Sequence, residues 1–359
     1  MSAVYQLLIA GEYPVEGVKG CFLSSGGSVI SGAMKISGVT ITDGGAAYVG
    51  RVYNRGILSD ATIEATSASA AQVYISCGGI MSGGSVGPYA YVSVDGGVLS
   101  NTKIVGVPGS AANVRAFNGG VINGVEIGSG VATFVFGNAE ISDVRFVGST
   151  NIYVFSGGVA NGINVNRTAT LNVRQGGESY DTILTNGGTE RVTFADTVAY
   201  DNHPHPVASQ TRVYSGGTQI VVSGGSGYGT TVNSGGYLTV SEGGTANSTT
   251  INKEGEMYVY SGGVANNTVT NAIYMFLMGG VANSTTVLDQ GLLGVISGGT
   301  ANYTTVNGTL EIQSGGTANY VTVLPGRYLT VYSGGTALAV TSNAGAQIEV
   351  KDGGIIEYA

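Results

Sequence analysis

In the last third of the chain, Gly-Gly pairs begin at Gly216, Gly243, Gly262, Gly279, Gly298, Gly315, Gly334 and Gly353. After a first interval of 27 residues the spacings run 19, 17, 19, 17, 19 and 19. Self-similarity at such a period marks a repeat architecture. A unit this short cannot bury a hydrophobic face alone, so each must stack on its neighbours.

The phasing inside the unit says what is stacked. Three residues before the pairs stand Val213, Val240, Val259, Phe276, Val295, Ile312, Val331 and Val350, and five before most of them stand Leu238, Met257, Tyr274, Leu293, Leu310, Leu329 and Ile348. Alternation at period two is the signature of a half-buried strand. After the pairs comes a second alternating stretch, such as Thr285 and Val287 or Val321 and Val323, so each unit reads as two short strands. The two unit lengths differ by two residues, which keeps every following side chain on its own side of the sheet. The shortened unit loses its residues where Val306-Asn307-Gly308-Thr309 replaces Val287-Leu288-Asp289-Gln290-Gly291.

The expected fold is therefore all-β, a single-stranded right-handed parallel β-helix, or β-solenoid; right-handedness follows from the rule for parallel crossovers. Composition agrees: 62 of 359 residues are Gly and only 10% are charged, yet 43% are hydrophobic, too many for a disordered Gly-rich linker. The same beat can be followed backwards through Phe117, Phe136 and Phe155, spaced by 19, and through pairs at Gly26, Gly44, Gly78 and Gly96. Residues 1–19 read as an N-terminal cap, with Val4 to Ala10 as a capping strand and no basic segment ahead of a long apolar core such as an export signal would show. Residues 20–194 read as degenerate coils, 195–211 as a protruding loop that contains Pro204 and Pro206, and 212–359 as regular coils.

The elements Tyr260-Ser261-Gly262-Gly263-Val264-Ala265-Asn266, Ile296-Ser297-Gly298-Gly299-Thr300-Ala301-Asn302, Gln313-Ser314-Gly315-Gly316-Thr317-Ala318-Asn319 and Tyr332-Ser333-Gly334-Gly335-Thr336-Ala337 resemble the passenger repeats of AIDA-type autotransporter adhesins. The likeness is strong over about 212–354 and looser over 115–190. It implies a non-enzymatic β-solenoid displayed outside a Gram-negative bacterium, where it mediates adherence, aggregation and biofilm formation. The implied partners are a receptor or glycan on a host-cell or bacterial surface and a second copy of the chain. The resemblance also implies O-glycosylation by a dedicated heptosyltransferase, with Ser261, Ser297, Ser314 and Ser333 as acceptors, which would make the chain that enzyme's substrate. The sequence departs from the family in showing neither an export signal nor a C-terminal membrane barrel, and it ends on a repeat.

No catalytic, cofactor-binding or metal-binding residue is assigned. His203 and His205, the only histidines, stand with Asp196 and Asp201 in the Pro-flanked loop, a donor set that could take Zn or Ni but reads as a solvated surface. Parallel β-helices also occur as phage tailspikes and polysaccharide lyases, which need paired carboxylates on adjacent coils. Glu126, Glu140, Asp143 and Arg145 are the candidates for that alternative, with Asp143 expected one coil above Glu126. Asn247, Asn266, Asn283, Asn302 and Asn319 recur at the coil interval and should form a ladder of stacked amides. Tyr260, Tyr303, Tyr320 and Tyr332 point outward and could stack on sugars or a partner. A net charge of −8 argues against nucleic acid and anionic membrane surfaces, and no apolar run is long enough to insert in a membrane. Cys21 and Cys77 are about three coils apart, too far for a disulfide, and read as isolated buried thiols.

Overall fold

The structure, a computed structural model, describes residues 57–65, 71–107, 112–194 and 204–359, together with the backbone of the strands Gln6–Ile9, Phe22–Leu23, Ser28–Ser31, Lys35–Ser37, Thr40–Ile41 and Ala46–Val49. The chain divides into one unit of Met1–Asn172 with Gly176–Ser179 and a second of Val173–Gln175 with Tyr180–Ala359. The chain is an all-β solenoid of parallel strands, with no helix among the described residues.

Each coil carries three short strands, one on each of three faces. In the second unit Tyr237–Val240 supplies the long face, Thr245–Asn247 the second and Thr250–Ile251 the third. The next coil lies over them in parallel register, pairing Tyr237 with Glu256, Thr245 with Val264 and Thr250 with Val269. In the first unit Tyr91–Asp95, Val98–Ser100 and Lys103–Ile104 stack in the same way on Gln72–Ser76, Ile80–Ser82 and Ser85–Val86.

The sequence suggested two strands per unit. What divides the second is a corner residue in the left-handed region: Asp181, Gln210, Gly229, Ser248, Asn267, Ser284, Tyr303, Tyr320 and Ala339 all have φ between 50 and 63°. Asp60, Gly83, Asn101, Gly124, Asp143 and Gly162 hold the same corner in the first unit. One positive φ between two extended stretches turns the chain and keeps both in their ladders. In Thr300–Val306, Thr317–Val323 and Thr336–Ser342 the strand runs on through that corner.

The two glycines of each pair answer two constraints. At the corner after the long strand the first has φ of 75° at Gly262, 76° at Gly315 and 74° at Gly334. The second lies so close to the preceding coil that an added Cβ would stand 2.2 Å from the Val295 carbonyl oxygen at Gly316 and 2.3 Å from that of Leu277 at Gly299. Gly216 belongs to a different corner, between the two-residue strand Arg212–Val213 and the long strand Thr218–Val222. The pair one true coil before Gly243 is Gly224-Gly225, 19 residues earlier, which removes the apparent interval of 27.

Inward side chains form continuous ladders. Leu238, Met257, Met275, Leu293, Leu310 and Leu329 from the long face and Ala265, Ala282, Ala301, Ala318 and Ala337 from the second are wholly buried. Val232, Ile251, Val287, Val306 and Val323 complete the core from the third face. Burying one such Leu removes enough apolar surface from water to stabilise the fold by about 1.5–3 kcal/mol, and the ladder repeats that in each coil.

Near the N-terminus, Gln6–Ile9 pairs in parallel register with Ser28–Ser31 on the long face. Cys77 is exposed rather than buried, because it occupies the corner before Gly78, where Asn118 and Ser156 stand in later coils. Cys21 lies outside the described residues.

Candidate functional site

Ser261, Ser297, Ser314 and Ser333 occupy one recurring position, the exposed residue immediately before the first glycine of the corner that follows the long strand. Ser297, Ser314 and Ser333 lie on consecutive coils, whereas Met278 precedes the glycine pair in the coil between Ser261 and Ser297. The next coil approaches closely: a Cβ on Gly353 would meet Ser333 Oγ at 2.7 Å, and one on Gly334 would meet Ser314 Oγ at 3.0 Å. A side chain at Gly334 or Gly353 would therefore crowd the hydroxyl of Ser314 or Ser333.

The five asparagines hold the same register position in consecutive coils: Asn247, Asn266 and Asn283 end three-residue strands, and Asn302 and Asn319 lie within Thr300–Val306 and Thr317–Val323. The Asn266 Nδ2 donates to Asn247 Oδ1 at 3.0 Å, Asn283 to Asn266 at 3.0 Å, Asn302 to Asn283 at 3.0 Å and Asn319 to Asn302 at 2.9 Å. Each inner amide thus donates down the stack and accepts from above. The run ends where Tyr228 and Leu338 take the same position in the flanking coils.

The carboxylates named for the lyase alternative are dispersed. Register places Arg145, not Asp143, one coil above Glu126. Arg145 Nη1 donates to Glu126 Oε2 at 2.5 Å, and Lys103 from the coil below lies 3.4 Å from Oε1. Asp143 is a left-handed corner residue with φ of 48°, and Glu140 lies on the second face, opposite Val121. The arrangement is a ladder of alternating charge on an exposed edge.

Of the loop residues, His203, Asp196 and Asp201 lie outside the described residues. His205 packs its ring against Phe194 at 5.6 Å, and the described residues contain no cluster able to hold a metal.

Two features escaped the sequence reading. Glu190, fully buried, points inward from the long strand Thr189–Thr193, where its carboxylate accepts from Thr211 Oγ1 and Gln219 Nε2, each at 2.8 Å. Gln219 in turn accepts from Thr230 Oγ1 at 2.9 Å, so a polar layer sits between apolar ladders. The signal was the acidic residue at an inward phase of the alternation. Outside the core, aromatic side chains stack from coil to coil: Phe134 on Tyr153 at 5.3 Å, Phe117 on Phe136 at 5.5 Å and Tyr303 on Tyr320 at 4.8 Å. Tyr258 donates its hydroxyl to Glu256 at 2.6 Å; that bond, reinforced by burial and by the Glu256 charge, pushes its pKa up to about 12.

Residues 233–272 match the family described as "Adhesin of bacterial autotransporter system, probable stalk". Among solved structures the chain is similar to the crystal structure of a TibA fragment, residues 55–350, hyper-glycosylated by TibC. The two share 26% identity at a TM-score of 0.57, over 89% of this chain and 99% of the other. No curated protein matches the sequence. Over residues 233–272 the alternation of strand, glycine pair and alanine-asparagine strand is thus similar to the stalk repeat of bacterial autotransporter adhesins.

Proposed function

We propose that this chain works as a non-enzymatic autotransporter-type passenger, displayed at a bacterial cell surface and mediating adherence and aggregation through its repeated outer faces. Its long parallel ladders give a rigid support on which the same exposed groups recur, so weak contacts add through multivalency. The dispersal of Glu126, Glu140 and Asp143, with Glu126 held between two cations, supports a binding role over a lyase mechanism.

The single observation that carries the finer reading is the set of exposed serines at one recurring corner, Ser297, Ser314 and Ser333 on consecutive coils and Ser261 two coils before Ser297, in a chain similar to a TibC-glycosylated fragment. Under this reading Ser261, Ser297, Ser314 and Ser333 accept heptose from a dedicated transferase. Co-expression with such a transferase, followed by intact-mass measurement, should give a ladder of added sugar masses, and replacing all four serines by Ala should shorten it by up to four steps. An unchanged mass in the presence of active transferase removes the glycosylation reading. Separately, cells displaying the chain on a carrier barrel should clump and settle faster than cells displaying the barrel alone; equal settling rates remove the adhesive one.

A further inference from the structure

At the left-handed corner between the second and third faces, the coils use Asp, Gly, Asn, Gln, Ser and Ala, and in two successive coils Tyr303 and Tyr320, each with φ of 55°. A bulky aromatic residue is poorly suited to that region, and backbone held there against preference tends to gather at binding sites. What the conformation achieves is presentation. The two rings stand parallel, 6° apart in tilt and 4.8 Å between centroids, and are 59% and 56% exposed.

One coil further on the corner residue is Ala339, whose methyl group is too short to cover the far side of the Tyr320 ring. An open cavity of about 330 Å³ lies there, lined by the two tyrosines, by Ala339 and by Thr305, Thr322 and Thr341 among others. These three threonines face one another in register on successive coils, so their hydroxyls recur at the coil spacing beside the rings. Thr304, at the cavity's inner wall, is buried with its hydroxyl lacking a hydrogen-bond partner. No acidic or basic side chain lines the space, and the backbone of Ala359 borders it.

We infer that this corner is a subsite for a neutral saccharide. A pyranose ring has an apolar face of C–H groups and a rim of hydroxyls. It therefore asks for one aromatic plane and several uncharged donor-acceptor groups, which the Tyr320 ring and the threonine array supply. A few polar groups converging on a largely preformed concavity, with volume at the small end of ligand pockets, fit a mono- or disaccharide. Tyrosine serves well because its ring contributes area at little rotamer cost and its hydroxyl remains wet. The lining holds no Lys, Arg or His to pair with the carboxylate of a sialylated or uronic sugar, which leaves neutral sugars as the better fit. The inference deepens the adhesive reading by naming a partner class, but it rests on this corner alone and is indifferent to glycosylation of the serine corner.

The test uses the purified full chain and a panel of maltose, cellobiose, lactose and N-acetyllactosamine, with sialyllactose as the acidic control, followed by saturation-transfer NMR and titration. At least one neutral member should bind, with transfer to its ring C–H protons. Tyr320→Asn and Tyr303→Asn place in the corner a residue that accepts positive φ, so they should lower affinity at least tenfold while leaving the melting temperature equal or higher. Failure of every neutral sugar to bind, a preference for sialyllactose, or binding unaffected by Tyr320→Asn would each overturn the assignment. Clumping by displaying cells with no sugar bound would sink this subsite and leave the adhesive reading intact; sugar binding without clumping would do the reverse.

Discussion

The paired glycines look interchangeable in the sequence and are not. Gly315 is needed for its φ of 76°, whereas Gly316 is needed because Val295 of the preceding coil puts its carbonyl oxygen where a Cβ would go. Gly315→Ala should cost about 1–2 kcal/mol, the usual penalty for a left-handed L-residue. Gly316→Ala forces backbone against backbone and should cost at least about 3 kcal/mol, the upper end for overpacking. Denaturant titration of the two variants should show that order; equal losses would mean the carbonyl contact is unimportant. A second test concerns Tyr258, whose pKa of about 12 arises first from its bond to Glu256. The raised value means the folded state favours the protonated phenol. That contribution is complete below the ordinary tyrosine pKa near 10 and fades as pH rises through about 12. Glu256→Gln removes the charge and weakens the bond, so ultraviolet titration should show one tyrosine moving toward its ordinary range.

Along each ladder a side chain is repeated at the coil spacing, so a defect in one rung is felt by two neighbours. Replacing Asn283 by Ala deletes its donation to Asn266 and its acceptance from Asn302, and should cost about 1–2 kcal/mol, since each net bond contributes about 0.5–1.5 kcal/mol. The buried threonines after the left-handed corner behave oppositely. Thr249, Thr268, Thr285 and Thr304 are buried with hydroxyls that lack a partner among the described residues, and Val321 takes over from Thr304 one coil on. Thr268→Val should therefore leave stability unchanged or raise it by up to about 1 kcal/mol in chemical denaturation, because a desolvated hydroxyl is replaced by a methyl of similar shape. A loss above about 1 kcal/mol would show that the hydroxyl is satisfied after all. These ladders were legible where residue type and phase coincide, as in the asparagine and leucine series. The corner that creates the third strand was not legible, because Asp, Gly, Asn, Gln, Ser, Tyr and Ala all occupy it. Gly216 misled for the converse reason: two different corners use the same glycine pair. Tyr303 and Tyr320 could be seen to point outward, but their left-handed backbone and shared cavity required coordinates.

Taken as one body, the chain carries a net charge of −8 and a pI near 4.7, so its copies repel at neutral pH. Self-association should rise as pH falls toward 4.7 and reverse on return to 7, as followed by light scattering, because colloidal stability is lowest near zero net charge. Scattering flat from pH 7 to 5 would mean that charge does not govern contact between copies. The repeat organisation was readable because stacking demands near-identical coils; the partner was not, because recognition uses the outward positions that stacking leaves free. One coil shows how far that freedom goes. Between Asp181 and Gln210 the corner interval is 29 residues instead of 19, the surplus falling between Phe194 and Val207. Yet Ile183 still pairs with Arg212 and Glu190 with Gln219. A ladder whose register survives ten additional residues in one coil does not depend on their number, so an epitope spliced between Phe194 and Val207 should be carried as cargo without disturbing the lattice that holds it.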